Sequence, residues 1–363
     1  MEREVLFDGI EILVGDQSVR LSDDTFVAEG GDAEVHKINA SESVKLYKEP
    51  DRGQELENKL TILKEKAPSF HPSVVAPQQL VFKSSDKQLL GFSMKFLPDA
   101  HQLSDFFWQP DRTGPQEILD QYSANLLYDI ADGLKAIHRS RVVIGDLKPD
   151  NILVSKGKAY IVDFDSASLL PDYPADSYTP RYVDPRLKSD VKAEGPYAFD
   201  PESDWFALGV IAFEMFLGIQ PWLGSNSRLK TPLLRAFNYS VVGFDPDVTC
   251  PSTMRPIPWF NDKIELKKYF RNLFSHDVFA RHSIDYVLEW YFPRVAKREG
   301  LAYKPTRRPT RRDSKRPKPE FEPELQRFTG TAVQWIEEQS TIKIRTGSSQ
   351  DDRNRFLDYM LES

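Results

Sequence analysis

The chain has 363 residues, of which 40% are hydrophobic and 12% aromatic, so it can bury a large core and does not have the composition of a disordered polymer. It contains no run of about 18 apolar residues, and its longest candidate, 206–217, is interrupted by Gly209 and Glu214, which excludes a membrane-spanning helix. The single cysteine, Cys250, excludes an intrachain disulfide and a cysteine-based zinc site. The acidic start, MEREVLFDGI, differs from a signal peptide, so we expect a cytoplasmic protein with no membrane partner.

The net charge of −7 is distributed unevenly along the chain. Between residues 294 and 319, eleven Lys or Arg residues stand against Glu299 and Asp313, a local balance of +9 that leaves −16 for the rest. The segment also contains several prolines, so we do not expect it to be helical throughout. We interpret it as a solvated linker, with an acidic partner as the alternative, and we do not expect a nucleic-acid partner.

The N-terminal part of the chain predicts strands and one helix. Residues 4–27 alternate between short apolar groups and Asp-Gly, Gly-Asp and Ser-Asp-Asp turn signals, which predicts short strands. The segment 52–67, RGQELENKLTILKEKA, places Leu56, Leu60 and Leu63 at helical spacing. The segments HPSVVAPQQLVF and LLGFSMKFLPDAHQL then predict two strands and a connection.

Helical patterns dominate the later part of the chain. Residues 117–139 repeat apolar side chains at helical spacing and end in a basic turn that suits the helix dipole. The segment SDWFALGVIAFEMFLGIQPW predicts a further core helix, and ELKKYFRNLF and SIDYVLEWYF also have helical spacing.

Between these regions, the stretch 142–163, VVIGDLKPDNILVSKGKAYIVD, carries the chemistry. Two short apolar strands, separated by a turn at Lys156-Gly157-Lys158, present two carboxylates, an amide and an ammonium at their ends, from Asp146, Asp163, Asn151 and Lys148. Such a set can supply hard oxygen ligands for Mg²⁺, a base for an incoming hydroxyl and a cation for a phosphoryl group.

The motif D-L-K-P-D-N followed by V-D-F-D resembles the catalytic and metal-binding loops of protein kinases. The resemblance implies an α+β, two-lobed protein-kinase-like fold, with a small β-rich N-lobe and a large helical C-lobe. It implies that Asp146 accepts the hydroxyl proton, that Lys148 stabilises charge on the γ-phosphoryl of ATP, and that Asn151 and Asp163 bind Mg²⁺. We place an N-terminal strand extension at 1–24, the N-lobe at 25–97, the C-lobe at 98–312 and a C-terminal extension of unknown role at 313–363.

The same resemblance assigns a nucleotide site to the N-lobe. Lys45 in S-V-K-L-Y-K is similar to the lysine that holds the α and β phosphates. Glu57 on the predicted helix is the expected partner of Lys45, with Glu55 as the competitor. Met94 falls behind the adenine pocket, and Lys95 to Leu97 fall on the hinge that binds adenine. Aligning Glu34-Val35 on the end of the glycine-rich loop assigns five loop positions to the phosphates: Ala28, Gly30, Gly31, Ala33 and Val35.

The chain departs from the family pattern at three places. Ile144-Gly145 replaces His-Arg before Asp146, which removes the arginine that docks a phosphorylated loop in many kinases. Asp165 replaces the glycine of Asp-Phe-Gly, which should restrict the conformations of that loop. Arg186 replaces the glutamate of the Ala-Pro-Glu motif and reverses the sign of a structural ion pair. Further on, KPTRRPT resembles the short motif that closes the large lobe of kinases, with Arg308 as its buried arginine.

Two functions from different classes remain open. The leading hypothesis is an ATP- and Mg²⁺-dependent Ser/Thr protein kinase that acts on a protein substrate, in which Asp204 anchors the backbone of the catalytic loop. The alternative is a pseudokinase that works as a scaffold, supported by the incomplete glycine loop and the three departures. A small-molecule kinase is a weaker third interpretation, because Thr179-Pro180-Arg181-Tyr182 resembles a shelf for a protein substrate.

Overall fold

The fold is given by a computed structural model that describes residues 6–49, 53–109, 116–169, 172–175, 178–187, 199–226, 228, 232, 236, 238–255, 263–275, 281, 284 and 287–288. The described residues of 1–106, 122–183 and 189–208 form one compact unit, and those of 107–121, 184–188 and 209–363 form another. No helix within these ranges is both long and apolar enough to cross a bilayer.

The helices are α1 Gly53–Lys66, α2 Gln116–Arg139, α3 Pro201–Leu217 and α4 Ile264–Leu273. The strands of the large sheet are β1 Glu11–Val14, β2 Gln17–Arg20, β3 Phe26–Glu29, β4 Ala33–Lys37, β5 Glu42–Tyr47, β6 Gln79–Lys83 and β7 Leu89–Lys95. The remaining strands are β8 His101–Gln102, β9 Val142–Val143, β10 Ile152–Ser155, β11 Lys158–Ile161 and β12 Ser168–Leu169. The helices predicted at 52–67, 117–139 and 265–274 are confirmed, whereas most of the segment SIDYVLEWYF lies outside the described residues.

In the part of the chain that the structure describes, seven strands form one antiparallel sheet in the order β2-β1-β6-β7-β5-β4-β3. β1 pairs with both β2 and β6, so the predicted N-terminal extension continues the same sheet. The boundary placed at residue 24 therefore separates strands that are hydrogen-bonded into one layer. The division into lobes at residue 97 stays a prediction.

Strand β5 positions the predicted nucleotide-binding lysine. Val44 and Leu46 are buried in an apolar cluster on one face of the sheet. Because side chains alternate along a strand, Lys45 and Tyr47 lie on the opposite face. Tyr47 is buried there in a second cluster that includes Leu60 of α1. The apolar face of α1 thus packs beside Lys45.

The chemistry-bearing stretch forms the predicted pair of short strands. β10 and β11 are antiparallel and are joined through Lys156 and Gly157, whose φ angles are 49° and 70°. Two consecutive positive φ angles are typical of the tight hairpin turn that matches strand twist, so the predicted turn is confirmed. β8 pairs with β10, and β9 pairs with β12.

In the second unit, α3 and α4 pack closely on each other. A Cβ atom on Gly209 would lie 2.1 Å from Cδ2 of Leu273, so this approach requires glycine. Phe213 packs edge-on against Phe270 and Phe274, with ring centroids 5.3 and 5.6 Å apart. These contacts bury the aromatic side chains in a common core.

The second unit also contains a buried ion pair between Asp184 and Arg281. Asp184, two residues before Arg186, binds the guanidinium of Arg281, and both side chains are buried. Asp184 therefore supplies the acidic member of an ion pair close to the Ala-Pro-Glu position. Arg308, which the resemblance implies as the buried arginine of the KPTRRPT motif, lies outside the described residues.

Candidate active site

The predicted catalytic loop brings three of its polar side chains together. Nζ of Lys148 donates a hydrogen bond of 2.8 Å to Oδ2 of Asp146. Nδ2 of Asn151 donates to the carbonyl oxygen of Asp146 over 3.0 Å. Oδ1 of Asp146 is buried and has no hydrogen-bond partner among the described residues. One oxygen of Asp146 is therefore fixed by Lys148, and the other can accept a proton or hydrogen bond from a ligand.

Lys148 also links this loop to the segment that resembles a substrate shelf. Its Nζ lies 3.1 Å from Oγ1 of Thr179, within hydrogen-bond distance. The ammonium thus holds a carboxylate and a hydroxyl at the same time, which fixes its position beside Asp146.

The backbone before Asp146 is held by Asp204 of α3. Oδ2 of Asp204 accepts a hydrogen bond of 2.8 Å from the N–H of Ile144, and Oδ1 accepts one of 2.9 Å from the N–H of Gly145. Nε2 of His138 also lies 2.8 Å from Oδ2. The predicted role of Asp204 as an anchor for this backbone is confirmed.

Gly145 stands where the family has arginine, and its backbone explains why glycine is tolerated here. Its φ is +76°, a left-handed conformation that other residues adopt only with strain. A Cβ atom would lie 2.9 Å from Cδ2 of Phe199 and 3.1 Å from Cβ of Ala175. The glycine therefore relieves strain and leaves room for two buried neighbours.

The second predicted metal-binding loop starts beside the first. The N–H of Val162 donates a 2.9 Å hydrogen bond to the carbonyl oxygen of Asn151, which joins the two loops directly before Asp163. Asp163 has a φ of 61° and a ψ of 45°, and its carboxylate binds Nζ of Lys45. Phe164 is buried and packs against Phe70 with ring centroids 5.0 Å apart. A continuous set of contacts thus connects Asn151 with Lys45.

Lys45 has a second carboxylate partner that the sequence did not reveal. Nζ of Lys45 lies 2.7 Å from Oδ1 of Asp165, and Oη of Tyr47 donates a 2.7 Å hydrogen bond to Oδ2 of Asp165. Neither Glu57 nor Glu55 forms an ion pair with Lys45 among the residues described. The structure does not bring the expected glutamate to Lys45, because two carboxylates of the 163–165 segment surround its ammonium.

These contacts shift the protonation equilibria of the pair. Burial alone would lower the pKa of Lys45, but the negative charges of Asp165 and Asp163 outweigh it and raise that pKa above its ordinary value. Burial alone would raise the pKa of Asp165, but the ammonium of Lys45 and the hydrogen bonds from Lys45 and Tyr47 lower it. Both groups are therefore held in their charged forms.

The predicted glycine-rich loop is the hairpin between β3 and β4. Ala28 pairs with Val35 across the hairpin, and the N–H of Gly30 donates a 2.8 Å hydrogen bond to the carbonyl of Ala33. A Cβ on Gly31 would meet nothing within 4 Å, so no contact with the described chain requires glycine there. An open backbone at this tip is compatible with close approach of a ligand.

The predicted hinge follows β7. Met94 is half-buried and packs in the same apolar cluster as Ala33, Tyr47 and Leu60. Lys95 is exposed, and its Nζ lies 4.5 Å from the ring centroid of Tyr160. Leu97 comes two residues later and is half-buried. Met94 thus links the strand of Lys45 to the start of the hinge.

Sequence reasoning missed two features of the site, namely Tyr47 and the ion pair that Asp165 forms with Lys45. A signal was available, because Tyr47 is two residues from Lys45 and so shares its face of the strand. Asp165 likewise lies two residues after Asp163. The sequence does not show, however, that the carboxylate of Asp165 comes close to Lys45 while the glutamates of α1 do not.

The comparisons with known proteins agree with this fold. The family model "Protein kinase domain" matches residues 27–292, most of the chain. The chain belongs to the protein kinase family, and its α+β, two-lobed fold class is that of protein kinases.

Curated relatives match this chain over a part of their length. The chain is 37% identical over 156 residues to myotonin-protein kinase of Mus musculus, an alignment that covers 41% of this chain and 24% of the relative. It is 26% identical over 222 residues to serine/threonine-protein kinase PKH1 of Saccharomyces cerevisiae, an alignment that covers 55% of this chain and 27% of the relative. It is 27% identical over 178 residues to citron Rho-interacting kinase of Homo sapiens, an alignment that covers 47% of this chain and 8% of the relative. The chain therefore spans about a quarter or less of the length of these relatives.

Proposed function

We propose that the protein is an active Ser/Thr protein kinase that transfers the γ-phosphoryl of Mg-ATP to a hydroxyl of a protein substrate. The observation that carries this proposal is the state of the Asp146 carboxylate. One oxygen is held 2.8 Å from Nζ of Lys148, and the other is buried without a partner in the described part of the chain. A buried, unpaired carboxylate oxygen costs free energy, about 1–3 kcal/mol, which a hydrogen bond from a water molecule or from a substrate hydroxyl would offset.

Asp146 and Lys148 have different roles in the transfer. Oδ1 of Asp146 accepts the hydrogen bond of the substrate hydroxyl, orients its oxygen towards the phosphoryl group and takes the proton late. Lys148 keeps the carboxylate in place and stabilises negative charge on the transferring group. Thr179, which contacts Lys148, would then lie beside the approaching substrate hydroxyl.

Asn151 and Asp163 are the side chains that would hold Mg²⁺. Nδ2 of Asn151 is used by the backbone of Asp146, so its amide oxygen remains for a ligand. The described residues contain no group of three or more His, Cys, Asp or Glu side chains arranged for a metal. One carboxylate and one amide are nevertheless a sufficient protein contribution, because Mg²⁺ in nucleotide sites takes its other ligands from phosphates and water. When bound, Mg²⁺ would neutralise charge on the β and γ phosphates.

The nucleotide itself would be held by residues of the large sheet. Lys45 has three N–H donors, so it can bind phosphate oxygens while it keeps one carboxylate partner. The hairpin with Gly30 and Gly31 would cover the phosphates. Adenine would bind at Lys95 to Leu97, with Met94 behind it.

The second candidate function is that of a pseudokinase scaffold. It is favoured by the incomplete glycine loop and by the pairing of Lys45 with two carboxylates rather than with Glu57. The hydrogen bonds that join Asp146 to Lys148 and Asn151 argue against a scaffold, because a scaffold does not require them. The Ser/Thr preference rests on Lys148 by analogy, and on one relative, serine/threonine-protein kinase PKH1, whose name includes that specificity.

The proposal is tested by transfer of label from γ-labelled ATP, with Mg²⁺, to a generic basic protein. We expect transfer by the wild type and its loss in Asp146→Asn. Asp132→Asn is the matched control, since Asp132 is a surface carboxylate of α2 paired with Lys135. Equal transfer by the wild type and Asp146→Asn would refute the assignment.

A thermal shift assay with Mg-ATP separates the kinase from a scaffold that does not bind nucleotide. A protein that binds only in its folded state is stabilised by its ligand. We expect Mg-ATP to raise the melting temperature of the wild type and not that of Lys45→Ala. No shift in the wild type, together with no transfer, would favour the scaffold.

A further inference from the structure

Lys45 pairs with carboxylates of the 163–165 segment, whereas the resemblance implies a carboxylate of α1. The family places this carboxylate on the helix that follows the lysine strand, which is α1 in this chain. In the described residues of α1, Glu57 and Glu55 form no ion pair with Lys45. Lys45 binds Asp163 and Asp165 instead, and Asp165 stands at the position of a family glycine.

Asp165 is built into this site through both of its carboxylate oxygens. Oδ1 lies 2.7 Å from Nζ of Lys45, and Oδ2 lies 2.7 Å from Oη of Tyr47. Tyr47 is itself buried against Phe92 and Leu60, so its hydroxyl has a fixed position. Strand β5 therefore supplies both the lysine and the hydroxyl that orients the carboxylate.

The two carboxylates around Lys45 differ in exposure. The side chain of Asp163 is 40% exposed, whereas that of Asp165 is 10% exposed. An exposed carboxylate can turn to a metal ion, but a buried one held by a lysine and a tyrosine cannot leave without losing both bonds. If Asp163 turned to hold Mg²⁺, Asp165 would still be bound to Lys45.

We propose that Asp165, oriented by Tyr47, is the positioning residue for Lys45 and takes over the task that a glutamate of the following helix has in the family. The inference rests on the proposed function, because the task of Lys45 is to hold ATP phosphates. The nucleotide-binding lysine is then fixed by the 163–165 segment and by its own strand. Its position does not depend on an ion pair with α1.

The pairing of Lys45 with Asp165 can be measured without catalysis. In a double-mutant cycle, the losses of stability from two substitutions add when the two side chains do not interact and fail to add when they do. Urea denaturation of the two single variants and the double variant, at one neutral pH, therefore reports whether two side chains interact.

The first experiment applies this cycle to the full-length protein. We expect the losses from Lys45→Met and Asp165→Asn to be non-additive, whereas those from Lys45→Met and Glu57→Gln should add. Tyr47→Phe keeps every charge but removes the orienting hydroxyl, so its loss should also be non-additive with that of Asp165→Asn.

The second experiment measures the KM for ATP and kcat separately. In Asp165→Asn we expect the KM for ATP to rise about tenfold or more with a smaller loss of kcat, since a charge-assisted hydrogen bond is lost. Asp165→Glu keeps a carboxylate and should restore part of the affinity.

Additive losses for Lys45→Met with Asp165→Asn, together with non-additive losses for Lys45→Met with Glu57→Gln, would overturn the proposal. If the wild type neither binds Mg-ATP nor transfers phosphate, the proposed function fails. The double-mutant cycle still decides in that case whether Asp165 interacts with Lys45.

Discussion

Oδ1 of Asp165 lies 2.7 Å from Nζ of Lys45, although 119 residues separate them in the chain. The contact joins the strand that carries the lysine to the loop that carries Asp163. It also explains a departure from the family pattern, because the aspartate that replaces a flexible glycine has a charged, buried partner. The same contact makes the stability of the fold depend on pH in a defined way.

Asp165 should stabilise the protein only while it is ionised. Its folded-state pKa is lowered, so its contribution is present above the unfolded pKa, roughly 3.9, and is lost as the pH falls through the folded value. The pKa of Lys45 is raised, so its contribution is lost only as the pH rises through a value above roughly 10.4. We expect urea unfolding to show a constant difference in stability between the wild type and Asp165→Asn from about pH 5 to 9, and a smaller one below about pH 4. A difference that stays unchanged in acid would contradict the ion pair.

Magnesium dependence tests the role of Asp163. Chelation of divalent ions should abolish phosphoryl transfer by the wild type, because the phosphate charge is then not neutralised. Asp163→Asn removes one negative ligand, so the Mg²⁺ concentration for half-maximal transfer should rise severalfold, as measured by a Mg²⁺ titration at fixed ATP. An Asp163→Asn titration that overlays that of the wild type would rule out this residue as a ligand.

Gly145 should not tolerate a side chain. Gly145→Ala places a Cβ 2.9 Å from Phe199 in a left-handed conformation, and we expect a loss of about 1–3 kcal/mol in the free energy of unfolding. Gly31→Ala is the matched control, since a Cβ there meets nothing within 4 Å and should change stability little. Urea denaturation measures the free energy of unfolding of both variants. Equal stability of Gly145→Ala and Gly31→Ala would show that the backbone at residue 145 can relax.

Asp204 should contribute to stability and to activity through the backbone of 144–145. Asp204→Asn presents an NH₂ group to N–H donors, so at least one backbone donor loses its acceptor, at a cost of about 1–3 kcal/mol. Since the same backbone leads into Asp146, kcat should also fall. Thermal unfolding and initial rates measure the two effects. A variant with wild-type stability and kcat would mean that the anchor is dispensable.

The ion pair of Asp184 and Arg281 should contribute strongly in the second unit. Asp184→Asn leaves a buried guanidinium without its charged partner, and we expect a loss of about 3–5 kcal/mol in unfolding free energy. Asp132→Asn, which breaks a half-exposed pair on α2, should cost less than about 1 kcal/mol. Chemical denaturation of both proteins gives the comparison, and similar losses would argue against a buried ion pair at 184.

Much of the fold was predictable because local patterns determine it. Leu60 and Leu63, at helical spacing, form the buried face of α1, and Lys156-Gly157 forms the predicted turn between β10 and β11. The pairing of β1 with β6 was not predictable, since the two segments are far apart in sequence and many pairings satisfy the same alternation.

The site was predictable where a short motif contains all its members. Asp146, Lys148 and Asn151 lie within one loop, so the motif places them together. The partner of Lys45 was not predictable, because that choice depends on whether α1 or the 163–165 segment comes closer. The acidic partner of segment 294–319, the extension at 313–363 and the cytoplasmic location stay predictions, and both segments lie outside the described residues.

The most direct test of the central claim is a single-turnover measurement of phosphoryl transfer from saturating Mg-ATP to a basic protein substrate, with enzyme in excess. If Asp146 orients the hydroxyl and takes its proton, Asp146→Asn should slow the transfer step about 10²- to 10⁴-fold, while Asp132→Asn matches the wild type. A transfer rate in Asp146→Asn equal to that of the wild type would contradict the account.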